Sequence, residues 1–106
     1  MPDKDTMMDT IVAMQFRLHQ DQTADGFLQA NERVNAWIKQ QPGFRFRSLS
    51  ETADGLWVLL VYWASKEAAR AAEEKFKREM EGLLMPFIDA ASFSSSLSQA
   101  RVMLQG

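Results

Sequence analysis

Hydrophobic and polar positions alternate along TIVAMQFRLH, Thr10 to His19. Val12, Met14, Phe16 and Leu18 fall on one side, and Ala13, Gln15, Arg17 and His19 on the other. A period of two with one apolar side predicts a strand packed on a core. QDQTADG breaks the pattern, and Thr23 or Asp25 can cap a helix. Phe27, Ala30, Val34, Trp37 and Gln41 then recur at spacings of three and four, with Asn31 and Ile38 beside them. This is one face of a helix from about Asp25 to Gln40. Gln-Pro-Gly at 41–43 ends it, because a residue before proline avoids the helical region and Pro-Gly suits a type II turn.

FRFRSLSE, Phe44 to Glu51, alternates again, and TADG at 52–55 supplies an Asp-Gly hairpin turn. The third strand, Leu56 to Ala64, is apolar on both sides: Trp57, Leu59, Val61 and Trp63 against Leu56, Val58, Leu60 and Tyr62. Such a strand needs cover on both faces. Ser65 caps an alanine-rich helix to about Glu81, with Ala69, Ala72, Phe76, Met80 and Leu83 as its buried stripe and Gly82 at the C-terminal cap position. LLMPFIDA adds a short helical turn from Pro86. SFSSSLSQARVML, 92–104, reads as a last strand, although serine is a poor strand former.

The order strand, helix, strand, strand, helix, strand is the ferredoxin-like βαββαβ pattern of an α+β domain: a four-stranded antiparallel sheet with two helices on one face. Residues 1–9 form a lead-in, and 10–106 a single domain. Two helices cover one face of the sheet, so the second apolar face of the third strand stays open, a patch larger than a soluble monomer usually exposes. The simplest cover is a second copy, giving a homodimer through the sheet face.

Composition narrows the function classes. The 106 residues suit one domain, and 46% apolar content suffices for a core. There is no cysteine, hence no thiolate nucleophile or thiolate metal site. Net charge is −2, and Lys75, Lys77 and Arg78 are interleaved with Glu73, Glu74, Glu79 and Glu81. That is a solvated helix face rather than a phosphate-binding stripe, so nucleic acid is not an expected partner. No apolar run reaches a membrane span, and MPDKDTMMD lacks the basic-then-apolar order of a signal peptide. A cytoplasmic location is the default. Gly-x-Ser-x-Gly, Gly-x-Gly-x-x-Gly, phosphate-loop and His-Glu-x-x-His motifs are absent. His19 is the only histidine and has no companions at ligand spacing, so no metal is expected.

QPGF after the first helix, Gly-Leu-Trp leaving the hairpin, and WASKEAARAA opening the second helix are similar to sequences of the dimeric α+β barrel superfamily. Within it, the chain most resembles antibiotic biosynthesis monooxygenase-like domains over about residues 10–104. The resemblance implies ferredoxin-like protomers whose sheets pair into a barrel, with any ligand held between a protomer's helices and its sheet. Characterised members include oxygenases of polycyclic aromatic substrates that use no metal or flavin, and haem-degrading enzymes. Trp63, in Trp-x-Ser-x-x-Ala, matches a tryptophan that contacts haem in the latter. Their axial histidine, ten residues on, is Glu73 here, and the first strand lacks their asparagine. Haem degradation is therefore not expected, and the resemblance implies no cofactor. The side-chain types used by the cofactor-free oxygenases are present as Asn31, Trp57 or Trp63, Tyr62, and Arg17 or Arg47.

The candidate ligand-binding residues are Asn31, Trp57, Trp63, Phe76, Met14 and Phe16, and no catalytic residue is assigned. Each has two readings. Trp57 and Trp63 share a strand face and either fill the core beside Phe76, Met14 and Phe16 or wall an apolar pocket. Asn31, near the apolar stripe of its helix, either bonds a neighbouring segment or orients a substrate carbonyl or phenol. Arg17 and Gln15 face the open side, where an interface ion pair is the simpler role for the arginine and an anionic substrate the other. Two functions remain open. One is a cofactor-independent monooxygenase-like protein acting on a small aromatic or polyketide-type molecule. The other is a non-catalytic binding or structural protein of the same fold.

Overall fold

A computed structural model describes residues 8–106. The expected lead-in therefore lies mostly outside the described residues. Asp9, at its end, is buried, and its carbonyl accepts from the Ala100 N–H at 2.8 Å.

The elements are β1 (Thr10–Leu18), α1 (Ala24–Ile38), β2 (Phe44–Glu51), β3 (Trp57–Trp63), α2 (Lys66–Glu79), a four-residue helix α3 (Glu81–Leu84), a 3-10 turn (Met85–Phe87) and β4 (Ile88–Gln99). The strands form one sheet in the order β2-β3-β1-β4, and every adjacent pair is antiparallel. The chain has the ferredoxin-like α+β fold, and no helix among the described residues is long and apolar enough to cross a membrane.

Local chemistry explains the boundaries. Thr23 Oγ1 accepts from the Gly26 N–H at 3.0 Å and starts α1, and Ser65 Oγ accepts from Ala68 at 3.1 Å and starts α2. Each cap satisfies a backbone donor that the first helical turn cannot. Gly43 and Gly55 have φ of +83° and +89°, which an L side chain rarely adopts.

Two expectations require correction. The second helix ends at Met80, whose N–H bonds to the Phe76 carbonyl, and Gly82 is not its left-handed cap but lies within α3. β4 begins and ends earlier than 92–104. Its ladder with β1 stops at Thr10 opposite Gln99, so Val102 and Leu104 project past the sheet and are exposed. A serine-rich segment holds as a strand in part because Ser92 serves an irregularity. The β1–β4 register slips between Gln15 and Arg17. There the Arg17 N–H donates to Ser92 Oγ at 2.8 Å, and that hydroxyl donates to the Asp89 carbonyl at 2.6 Å.

β3 alternates strictly. Trp57, Leu59, Val61 and Trp63 are buried toward the helices, where they meet Phe16, Phe27, Val34, Ile38, Ala69 and Ala72. Val58, Leu60 and Tyr62 lie on the other face, opposite Gln15, Ala13 and Ile11 of β1. No described helix covers that face. Its apolar strip is bordered by Ser48 and Ser50 of β2 and by Ser94, Ser96 and Ser98 of β4. Phe46, 53% exposed, stands edge-on to Tyr62 with ring centroids 5.6 Å apart.

The two left-handed glycines differ in surroundings. A Cβ at Gly43 would lie 2.6 Å from Ala68 Cβ, whereas at Gly55 the nearest atom is Arg17 Nη1 at 3.8 Å. Gly55→Ala should therefore carry only the backbone penalty, about 1–2 kcal/mol. Gly43→Ala should cost more, because it also pushes α2 off the β2 entry. Thermal melts of the two variants check the order.

Candidate functional site

α1 and α2 do not seal against the sheet. A cleft of about 390 Å³ lies between them and the sheet. Its floor is the helix-facing side of the central strands, including Val12, Met14 and Phe16 of β1 and Leu59, Val61 and Trp63 of β3. One wall is α1, through Phe27, Val34, Trp37 and Ile38. The other is α2, through Ala69, Ala72 and Phe76. Alanine on α2 leaves the space that larger side chains would fill. Phe93, Ser95 and Leu97 of β4 border the far side.

The aromatic side chains are braced. Trp37 and Phe76 meet edge-on at 5.9 Å, and Trp37 Nε1 donates to Glu79 Oε1 at 3.1 Å. Trp63 is 4% exposed and meets Phe44 edge-on at 5.8 Å. It is a packed core ring that also presents a surface to the cleft. Trp57 is different: it packs edge-on against Phe27 at 5.0 Å and does not border the cleft. Of the candidates, Met14, Phe16, Trp63 and Phe76 thus line one space, and Trp57 belongs to the neighbouring core.

Asn31 reaches the cleft indirectly. It is 7% exposed on α1, and its Oδ1 accepts from Arg47 Nη1 at 2.7 Å. The same Nη1 donates to Asn35 Oδ1, also at 2.7 Å, one turn further along α1. Arg47 borders the cleft from β2. Burial pushes its guanidinium down from the ordinary value to about 10, which leaves it cationic at neutral pH. The described ion pairs, Arg17–Asp54, Arg45–Asp9 and Lys77–Glu73, do not include it. Trp37, Asn35 and the placement of Arg47 are site features that the sequence reading did not assign. The i, i+4 pair Asn31/Asn35 was the available signal.

The remaining charges lie at the solvent side. Glu73 borders the cleft with its Oε1 3.6 Å from Lys77 Nζ, and both side chains are exposed. The Arg17 side chain reaches the β2–β3 turn. Its Nη1 donates to the Asp54 carbonyl at 2.8 Å and its Nη2 to the Asp54 carboxylate at 3.1 Å, fastening β1 to the β2–β3 turn. The Thr52 hydroxyl, then Arg17, hold the Asp54 carboxyl below the usual carboxylate range. Among the described residues no cluster of His, Asp or Glu could hold a metal ion.

No protein-family model matches the chain, and neither does any curated protein. Solved structures do. SnoaB, a cofactor-independent oxygenase from Streptomyces nogalater, is 21% identical with a TM-score of 0.76, over 93% of this chain and 99% of that one. The ActVA-Orf6 monooxygenase of Streptomyces coelicolor, in complex with nanaomycin D, is 18% identical with a TM-score of 0.68, over 97% and 96%. A dimeric ferredoxin-like protein from an uncultured marine organism is 13% identical with a TM-score of 0.74, over 97% of both chains. The fold is thus the one adopted by antibiotic biosynthesis monooxygenase-like proteins, and these similarities extend over nearly the whole chain.

The double role of Trp63 yields a prediction. Trp63→Ala should lower stability by roughly 3–5 kcal/mol, since it deletes a buried ring. Trp63→Phe should cost much less, because most of the volume against Phe44 stays. Urea denaturation of both variants measures this, and near-native stability of Trp63→Ala would make the ring a cleft wall only.

Proposed function

We propose that the protein binds a small aromatic or polyketide-type molecule in the cleft between its helices and its sheet, as a cofactor-independent monooxygenase-like protein. The observation that carries this reading is the cleft itself. It is apolar and ring-lined, and about 390 Å³ lies within the roughly 300–1,000 Å³ typical of small-molecule sites. The fold shared with a cofactor-independent oxygenase and with a monooxygenase described with a bound ligand supports it. Chemistry without a cofactor would need a substrate that is electron-rich as an enolate or phenolate. The protein would orient it, stabilise the anion and exclude water. Binding without turnover is the second reading, favoured by the position of Glu73, a cleft carboxylate that is exposed to water and lies beside Lys77.

Two measurements test these readings in turn. A cleft ligand stabilises the folded state by mass action, about 2.7 kcal/mol at a hundred times its Kd. Thermal-shift screening against aromatic acids, quinols and haem should therefore give hits among the flat carbocyclic compounds, and a screen without any such hit overturns the pocket. Oxygen uptake with anthrone separates turnover from binding. Oxidation to anthraquinone consumes one dioxygen, with one oxygen atom entering the product and the other leaving as water, and no uptake by a protein that binds the compound leaves binding alone.

We further propose a homodimer in which the open sheet faces pack together across a two-fold axis. The apolar strip of Val58, Leu60, Tyr62 and Ile11 motivates it, and structural neighbours described as dimeric ferredoxin-like proteins support it. Sedimentation at micromolar concentration should give twice the 12.1 kDa chain mass. Val58→Asp or Leu60→Asp should dissociate or unfold the assembly by burying an unpaired carboxylate. A native species of single-chain mass would overturn the dimer.

A further inference from the structure

We infer that Arg47, held by Asn31 and Asn35, is the anion-recognising group of the cleft, and that the ligand carries an oxyanion on its aromatic framework. The inference rests on the pocket reading above and adds to it a residue and a ligand charge.

The geometry is specific. Nη1 of Arg47 is occupied by two carboxamide oxygens, each at 2.7 Å. The other donors of the fork, on Nη2 and Nε, have no partner among the described residues, yet no side-chain nitrogen or oxygen is both sealed off and unpaired. They are therefore reachable, and Arg47 borders the cleft. Two neutral acceptors fix the guanidinium in place without cancelling its charge. Burying a cation with only neutral partners is costly, and a carboxylate on α1 would have offset part of that cost while neutralising the charge. Asn31 and Asn35 instead keep the charge available. An anion seated on the free edge could take paired, charge-assisted hydrogen bonds, the geometry in which arginine recognises planar oxyanions.

The other charges of the cleft do not offer this. Lys77 is exposed and already beside Glu73, and Glu81, also bordering the cleft, would repel an anion. The cation that an apolar, flat ligand meets away from these is Arg47. A ring carboxylate and a ring enolate or phenolate share the required chemistry: oxygen with negative charge in the plane of an aromatic system.

Titration calorimetry on the full chain with two matched pairs tests this. The first pair is 2-naphthoate against its neutral isostere 2-naphthamide. The second is 2-hydroxy-1,4-naphthoquinone, an enolate at neutral pH, against 2-methyl-1,4-naphthoquinone. In the native protein at least one anion should bind about ten- to hundred-fold more tightly than its neutral partner, and which pair discriminates tells carboxylate from enolate. The ratio should fall toward one in Arg47→Gln. It should fall likewise in Asn31→Asp, which hands the guanidinium an internal counter-charge at nearly constant shape and decides the matter if Arg47→Gln fails to fold. A ratio near one for both pairs in the native protein overturns the anion assignment while leaving the pocket intact. A ratio that persists in the variants overturns Arg47 as its source. No binding of any of the four probes overturns the pocket reading, and this inference with it.

Discussion

The structure depends on a strand with two apolar faces in a sheet whose described helices lie on only one. β3 carries Trp57, Leu59, Val61 and Trp63 on one side and Val58, Leu60 and Tyr62 on the other. The first set cannot meet water without losing most of the driving force for folding, at about 25 cal/mol for each Å² exposed. α1 and α2 are therefore drawn onto it. The second set has no described intramolecular cover, and the flanking strands offer it serines instead of bulk. Short side chains beside an apolar strip let another flat surface approach closely, which is the arrangement a face-to-face sheet contact needs.

The cleft follows from how unevenly the two helices do their work. α1 brings Phe27, Val34, Trp37 and Ile38 to the sheet, whereas the first turns of α2 bring only Ala68, Ala69 and Ala72. Packing at native density would require large residues on one helix to fill what the other leaves. Here the rings of Trp37 and Phe76 lean on each other at the edge of the gap rather than closing it. Stability is then concentrated where Phe16, Phe27 and Trp57 interlock, at 5.0 to 5.7 Å between neighbouring rings. The gap between the helices contributes little to it. A protein under selection for stability alone would gain from larger side chains at Ala69 or Ala72.

Periodicity made most of this readable in the sequence. Alternation marked β1 and β2, a run apolar on both sides marked β3, three-four spacing marked both long helices, and Thr23 and Ser65 marked their starts. The failures have local causes. Gly82 looks like a helix stop, but the chain turns at Met80 and resumes in α3 under the pull of Leu84, which is buried in the core. Serine spacing misplaced the ends of β4 because the serines satisfy a register slip and line the open face. Neither role shows in propensity. Whether an aromatic residue fills a core or walls a cleft was not legible at all. Trp57 and Trp63 have the same face, strand and burial, and differ only in what α1 and α2 put opposite them.

The place of Arg47 in the cleft was hidden by a single inserted residue. In strict alternation FRFR would set Phe44 and Phe46 on one face and Arg45 and Arg47 on the other. The β2–β3 register slips between Phe44 and Phe46, so Arg45 bulges out, 3.7 Å from the Asp9 carboxylate. Beyond the bulge the phase is reversed. Phe46 pairs with Tyr62 on the open face, and Arg47 pairs with Val61 on the helix side. The same inserted residue therefore adds an aromatic ring to the surface that wants a partner and a guanidinium to the cleft that wants a polar group. Without the bulge, with Arg45 in the ladder opposite Tyr62, the two would exchange, placing the Phe46 ring under α1 and Arg47 on the open face. The chemistry of both faces is thus set by one backbone irregularity at the start of β2, and β2 is an edge strand of the sheet, where such a bulge costs the ladder least.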